Sequence, residues 1–351
     1  MTTDSTGPAA PTAPSTLVTG GLGFLATWIA AGLLRCGHRV TLVDHRDLDG
    51  TPAQLSGITD HPAVTVARAD VTEPGALDGL GASDHIIHMA AVLGVDKVRA
   101  APAETLRVNI DGTAVALDHA ARQPALRRFV LLSTSEVYGS RAEDATEDGW
   151  LSVRTDDPRW SYAVSKVTAE AMTAARGTEA GLPYTLVRPF NVYGPLRTGA
   201  YAVGALARQA VRGAPLTVHG DGRQRRAWCH AEDFANGLVR CLYAPGAVGR
   251  AVNIGDDRHH LSIAELAWLT NDIGGGAGIV HTPPTGPDID LRKPDLTTAR
   301  TVLGHEPLRD LHEGLRETVE WFRRGAGLFP LRLHRPDWSP WALGRPGASA
   351  R

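Results

Sequence analysis

The chain has 351 residues, with 36 Lys plus Arg against 38 Asp plus Glu and a formal net charge of -2. That length allows one large domain or two modest ones with ample core, and the charge balance gives no reason to expect nucleic acid or an anionic membrane as partner. No apolar run reaches the roughly 18 residues of a membrane-spanning helix. Cys36, Cys229 and Cys241 lack metal-site or disulfide-framework spacing, so a reducing cytoplasm is the expected setting and no metal is expected.

Residues 1–15 have neither the basic start nor the apolar middle of a secretory leader and read as a short disordered tail. "TLVTG" (16–20) then begins a series of strand-like runs alternating with helix-like stretches. "RVTLVD" (39–44), "VTVARAD" (64–70), "HIIHMA" (85–90) and "RFVLLSTS" (128–135) continue it, and "YTLVRPF" (184–190) closes it. Continuous apolar strands separated by helices predict a doubly wound parallel sheet covered on both faces, over residues 16–190. Residues 191–324 read as a smaller α/β region that holds substrate. Its helices are expected near Tyr201–Arg212, at 232–243, at 262–273 and near Leu311–Arg324. Residues 325–351 carry Pro, Gly, Trp338 and Trp341 without periodicity and form a tail, loose or draped on the body.

Two stretches carry chemistry. "TGGLGFLA" (19–26) links the first strand to the first helix. Gly20 and Gly23 permit a tight turn and close approach of a pyrophosphate to the helix start, where the N–H groups of Phe24 and Leu25 face an anion. Asp44, ending the second strand, is placed to accept from an adenosine ribose hydroxyl, which favours NAD over NADP. His45 and Arg46 beside it keep NADP as the alternative. Asp70 is a candidate for the adenine amino group, or simply a carboxylate that ends a strand.

The second stretch is "RWSYAVSK" (159–166). It contains one of only three lysines in a chain with thirty-three arginines. Tyr162 and Lys166 stand four apart, on one face of a helix. A free phenol titrates near 10 and is a poor base at neutral pH. A nearby ammonium stabilises the phenolate and lowers that value.

The ordered set "TGGLGFLA", "HMAA" (88–91), "STSEVYG" (133–139), Tyr162-x-x-x-Lys166, "RPFNVYGP" (188–195), "RQRRAWCHAEDFANGL" (223–238) and "RKPDLTTARTVLGHEP" (292–307) resembles the extended short-chain dehydrogenases/reductases of the nucleotide-sugar epimerase, dehydratase and decarboxylase group. The resemblance covers about residues 16 to 324. It implies an NAD-binding Rossmann fold, a nucleoside-diphosphate sugar as substrate and a homodimer paired through helices at 105–122 and 161–176. Ala26 departs from the family pattern, which has a third glycine there. The resemblance implies that Tyr162 is the general base on a sugar hydroxyl, that Lys166 holds the nicotinamide ribose and the phenolate, and that Thr134 bonds the same hydroxyl. Ser135, Asn191, Arg226 and Arg292 are then candidates for sugar or diphosphate contacts. Arg225 is given no role, and His88 reads as a core histidine.

All members of the group begin by oxidising the sugar, usually at C4. A 4-epimerase is the leading expectation, because it needs no catalytic group beyond the redox pair. Glu136 sits awkwardly with it, and a uronate decarboxylase, which uses a Thr-Ser-Glu run with an arginine like Arg226, is the alternative. A 4,6-dehydratase would carry Asp-Glu where this chain has Ser135-Glu136. A non-catalytic NAD-binding protein is disfavoured by the intact Tyr162 and Lys166.

Overall fold

Alternate residues along the first strand face opposite ways, and both sets are buried. In the computed structural model, which describes residues 13–199, 201–284 and 289–331, seven strands form the main sheet. They are β1 (Ser15–Thr19), β2 (Arg39–Asp44), β3 (Val64–Arg68), β4 (His85–His88), β5 (Arg128–Leu132), β6 (Tyr184–Pro189) and β7 (Arg250–Ile254). Their order is β7-β6-β5-β4-β1-β2-β3, and every pair is parallel.

Helix α1 (Phe24–Arg35) and helix α5 (Ala231–Cys241) cover one face. There Ile29, Leu33, Phe234 and Leu238 pack on Val18, Leu42, Ile87 and Val130. Helix α2 (Pro102–Ala121) and helix α3 (Ser161–Ala180) cover the other, where Leu117 and Ala169 meet Leu17, Val43, Ile86 and Phe129. Burial on both faces is why these strands read as continuous apolar runs. Ile86 and Ile87 are both 0% exposed, and truncating either to Ala would cost about 2–5 kcal/mol.

The rest of the chain forms a second core. Helices α4 (Ala202–Val211), α6 (Ile263–Gly274) and α7 (Leu311–Arg323) enclose Tyr193, Leu206, Trp228, Leu266 and Leu315. A four-stranded sheet lies beside it, in the order His260–Ser262, Arg225–Ala227, Leu291–Pro294, Arg141–Ala145. The division expected at residue 190 is crossed in both directions. α5 and β7 return from beyond it to the main sheet, while Arg141–Ala145 leaves the first half to pair with Leu291–Pro294.

β1 starts at Ser15, one residue inside the expected tail, and Pro14 O accepts from Arg39 N at 2.9 Å. The rest of that tail, residues 1–12, lies outside the described residues, as do Trp338 and Trp341. Residues 325–331 are draped on the body. Phe329 N donates to Leu55 O at 2.7 Å, and its ring lies 6.3 Å from that of Trp28. The three cysteines are buried and free. Among the described residues no helix is long and apolar enough to cross a membrane, and no cluster of His, Cys, Asp or Glu could hold a metal ion.

Candidate active site

The strand order reverses between β1 and β4, and ligands in such sheets bind at the carboxyl ends of the strands at that point. Gly20, Asp44, Ala90, Thr134 and Asn191 all follow or end main-sheet strands there. Gly20 has a φ of +66°, and a Cβ on it would meet the Ala90 backbone at 3.0 Å. The tightest approach is at Gly21, where a Cβ would lie 2.7 Å from Leu42. Gly21 falls outside the Gly20-x-x-Gly23 spacing, so only the packing against β2 reveals its role. α1 begins at Phe24 with no side chain capping it, so the N–H groups of Phe24, Leu25 and Ala26 have no intrahelical acceptor. This cradle of glycines and helix-start amides fits the pyrophosphate of NAD. Ala26 is fully buried in the core that α1 shares with the sheet, so the missing third glycine is accommodated.

Asp44 is not an open carboxylate. It is buried and accepts from Leu22 N at 3.2 Å, Arg46 Nε at 2.9 Å and Arg46 Nη2 at 2.7 Å. Burial opposes its charge, but these bonds hold its carboxyl below the usual range. Arg46 thus lies over the position from which Asp44 would meet a ribose. Asp70 is exposed, two residues beyond β3, and its Oδ1 accepts from Thr72 N and Thr72 Oγ1 at 2.9 and 2.8 Å. One oxygen closes a turn, and the strand-ending reading accounts for that bond.

On the catalytic side, Tyr162 and Lys166 lie one turn apart on α3 as expected. Lys166 does not reach for the phenol. Its Nζ donates to Leu132 O at 2.8 Å, at the end of β5. Burial pulls its ammonium down to about 8, and Glu170, a further turn along, opposes that shift. Glu170 is itself fixed by Arg188, with 2.9 and 2.7 Å bonds from Nε and Nη2, and by Ser133 Oγ at 2.5 Å. Tyr162 is half-buried and its hydroxyl hydrogen-bonds Thr134. Burial pushes its pKa well up, the Glu136 and Tyr201 charges push the same way, and the Thr134 bond and Arg197 oppose them. Lys166 is thus anchored on a main-chain carbonyl, and Arg197 is a further cation whose charge favours the Tyr162 phenolate.

Arg197 donates to Val192 O at 2.7 Å, and its guanidinium lies 3.7 Å from the Tyr201 ring centroid and 5.1 Å from that of Phe24. It therefore bridges the helix start to the phenol. Thr134 and Ser135 are buried where β5 gives way to the 3-10 turn Ser135–Tyr138, and Thr134 Oγ1 caps that turn by accepting from Glu136 N at 3.2 Å. Glu136 Oε2 accepts from Arg159 Nη1 at 2.8 Å. Arg159 is the first residue of the stretch that holds Tyr162, and nothing in the sequence marked it.

Asn191 takes a left-handed φ of 37°, tolerated by Asn better than by most residues, and its Nδ2 donates to Ala227 O at 3.3 Å. Arg226 and Arg292 are register partners on adjacent parallel strands, and both are buried. Arg226 Nη1 donates to Arg225 O and Arg292 Nη2 to Gly139 O, each at 3.0 Å, and the planar guanidinium fork matches phosphate. Arg225, the residue preceding Arg226 on its strand, is half-buried, with Glu265 at 3.4 Å. His88 is fully buried, its ring bridged to Thr19 at 2.8 Å and Thr113 at 3.3 Å, and burial pushes it down to about 3. Asn109, also unforeseen, ties the loop after β4 to α3 through Val92 N at 2.7 Å and Ser165 Oγ at 2.9 Å.

Comparison with known proteins agrees with this geometry. The chain is 34% identical over 312 residues to UDP-glucuronic acid decarboxylase 1 of Xenopus tropicalis, covering 88% of this chain and 72% of that protein. It is 32% identical over 320 residues to UDP-N-acetyl-alpha-D-glucosaminuronate decarboxylase of Bacillus cytotoxicus, covering 88% and 97%. The solved UDP-glucuronic acid 4-epimerase of Bacillus cereus, in complex with UDP-glucuronic acid and NAD, superposes with a TM-score of 0.78 at 26% identity, over 88% of this chain and 99% of that one. The sequence model of the NAD dependent epimerase/dehydratase family matches residues 16–255, and the chain belongs to that family.

Proposed function

We propose that the protein is a decarboxylase of a nucleotide-linked uronate, working through a 4-keto intermediate. The observation that carries this reading is Glu136, a carboxylate held by Arg159 Nη1 at 2.8 Å on the turn that Thr134, the partner of the Tyr162 phenol, caps. Epimerisation at C4 asks for a base and a hydride carrier. Loss of carbon dioxide also asks for proton handling at C5, next to the carbon that Tyr162 serves. The two decarboxylases to which the chain is similar support the same choice.

NAD, when bound, supplies the hydride acceptor at C4 and later returns the hydride. Tyr162 takes the proton of the C4 hydroxyl, with Thr134 bonded to the phenol and holding it in place. Lys166, charged below about pH 8, is the donor for the nicotinamide ribose. Arg197, in the field of Tyr162, favours the phenolate. Once C4 is a ketone, the C5–C6 bond breaks and its electron pair forms the C4–C5 double bond of an enolate as carbon dioxide leaves. Glu136 handles the solvent proton that C5 then takes up. Arg226, Arg292 and Asn191 hold the diphosphate end of the substrate, and Ser135 lies against the sugar.

The 4-epimerase expectation stands as a second reading, favoured by the superposition on the Bacillus cereus 4-epimerase. The discriminating experiment incubates purified protein with paired UDP-, dTDP-, GDP- and ADP-linked hexoses and uronates and follows them by NMR. The proposal predicts a nucleotide pentose from a uronate. Inversion at C4 with all six carbons retained would favour the epimerase instead.

A further inference from the structure

Arg159 and Glu136 make an ion pair that oxidation at C4 does not require. Arg159 lies in the short 3-10 turn Pro158–Trp160, immediately before α3. Asp157 caps that turn by accepting from Arg159 N at 2.9 Å. The turn sends the guanidinium, 5.4 Å from the Trp160 ring centroid, across to the Ser135–Tyr138 turn after β5, where it meets Glu136. Only 6% of the Arg159 side chain and 19% of the Glu136 side chain is exposed. A guanidinium taken out of water is costly unless paired with a carboxylate, so each group fixes the other. Glu136 is thereby held two residues from Thr134, whose Oγ1 accepts from Glu136 N at 3.2 Å and which bonds the Tyr162 phenol, the group that serves the carbon being oxidised. C5 is one bond from that carbon, and the carboxylate of a uronate is two bonds away. An unpaired Glu136 would repel it.

We propose that Arg159 is a positioning residue that offsets and orients the Glu136 carboxylate, so that the sugar subsite accepts a second carboxylate from the substrate. This rests on the uronate reading above. Arg159 does not bind the substrate carboxylate itself; it makes Glu136 tolerable to it. A hexose without the carboxylate gains nothing from the pair, which makes Arg159 a determinant of uronate over hexose.

The test is a double-mutant cycle read by calorimetric binding of UDP-glucuronate and UDP-glucose to the NAD-loaded full-length protein. Arg159→Met should weaken UDP-glucuronate binding by roughly 30-fold or more, the scale for stranding one charge of a buried pair, and change UDP-glucose binding by less than about threefold. Arg159→Lys should recover part of the loss. The double variant Arg159→Met/Glu136→Gln should bind UDP-glucuronate better than Arg159→Met alone, because the repelling charge is gone. Should Arg159→Met not fold, Arg159→Gln carries the same comparison. Equal losses for the two sugars would overturn the proposal, since they indicate a purely structural role. A double variant no better than the single would also overturn it, since that indicates direct contact with the substrate. The wild type separates this from the underlying reading: if it releases no carbon dioxide from UDP-, dTDP-, GDP- or ADP-linked uronates, the decarboxylase reading fails whatever the cycle gives.

Discussion

Lys166 Nζ donates to Leu132 O at 2.8 Å, while Tyr162, one turn earlier on the same helix, hydrogen-bonds Thr134. The two residues are joined through the end of β5 and not directly. Burial puts the lysine near 8, so it loses its charge above that pH, while Lys293, ion-paired to Asp144 at 2.7 Å, is held above the ordinary value. With only three lysines in the chain, a 13C-lysine NMR titration resolves them all. One resonance should titrate near 8 and disappear from the spectrum of Lys166→Met. Three lysines all titrating above 10 would show that Lys166 is hydrated and not held on Leu132.

Removing the phenol tests the redox step. Tyr162→Phe should keep the fold and NAD binding but lower turnover by roughly 10²–10⁴-fold, the usual worth of a positioned base. Thr134→Val should act in the same direction and more weakly, because it removes one hydrogen bond to the phenol. Near-normal activity of Tyr162→Phe across the pH range would refute the assignment of the base.

The Asp44–Arg46 pair bears on cofactor choice. Asp44 repels a 2′-phosphate while it is ionised, and the bonds it accepts keep it so. Cofactor released by denaturation and identified by mass should be NAD or NADH. Arg46→Ala should change NAD affinity by only a few-fold, whereas Asp44→Ala leaves Arg46 without its carboxylate and should raise NADP binding relative to NAD. Recovery of mainly NADP(H) from the unsubstituted protein would mean that Arg46, and not Asp44, governs the site.

Much of the sheet was legible in the sequence because each central strand is buried on both faces. β2 occupies the residues read for it, since an apolar run ends there at a charged Asp44. β7 was missed. It is a five-residue segment about sixty residues beyond β6, and nothing local says which sheet edge it joins. The site divides the same way. Tyr162, Lys166 and the glycines belong to contiguous motifs, whereas Arg159 with Glu136, Arg197 with Tyr162, and Arg292 with Arg226 are pairs that only tertiary packing creates.

Acid should destabilise the protein ahead of any effect on the site. Burial pushes His38 down to about 4 and His85 and His88 down to about 3. The unfolded chain takes up these protons near 6.5 while the folded one resists them. The unfolded state therefore binds more protons below that pH, and stability is lost as pH falls from about 6.5 toward 4. Each such histidine contributes up to about 2 kcal/mol at pH 5. Neither ring nitrogen of His85 has a hydrogen-bond partner, so His85→Phe should hold its stability at pH 7.5 and flatten the acid slope of urea midpoints. An unchanged slope would exclude His85 as a source of the acid sensitivity.

Turnover of a nucleotide uronate in D₂O shows whether the 4-keto sugar loses its carboxylate with Glu136 handling a proton at C5. Turnover should release one carbon dioxide per substrate and leave one solvent deuterium at C5 of the pentose product. Glu136→Gln should stall after oxidation, with enzyme-bound NADH accumulating. Inversion at C4 without carbon dioxide release and without solvent deuterium in the sugar would contradict this mechanism, since hydride would then simply leave C4 and return to the other face.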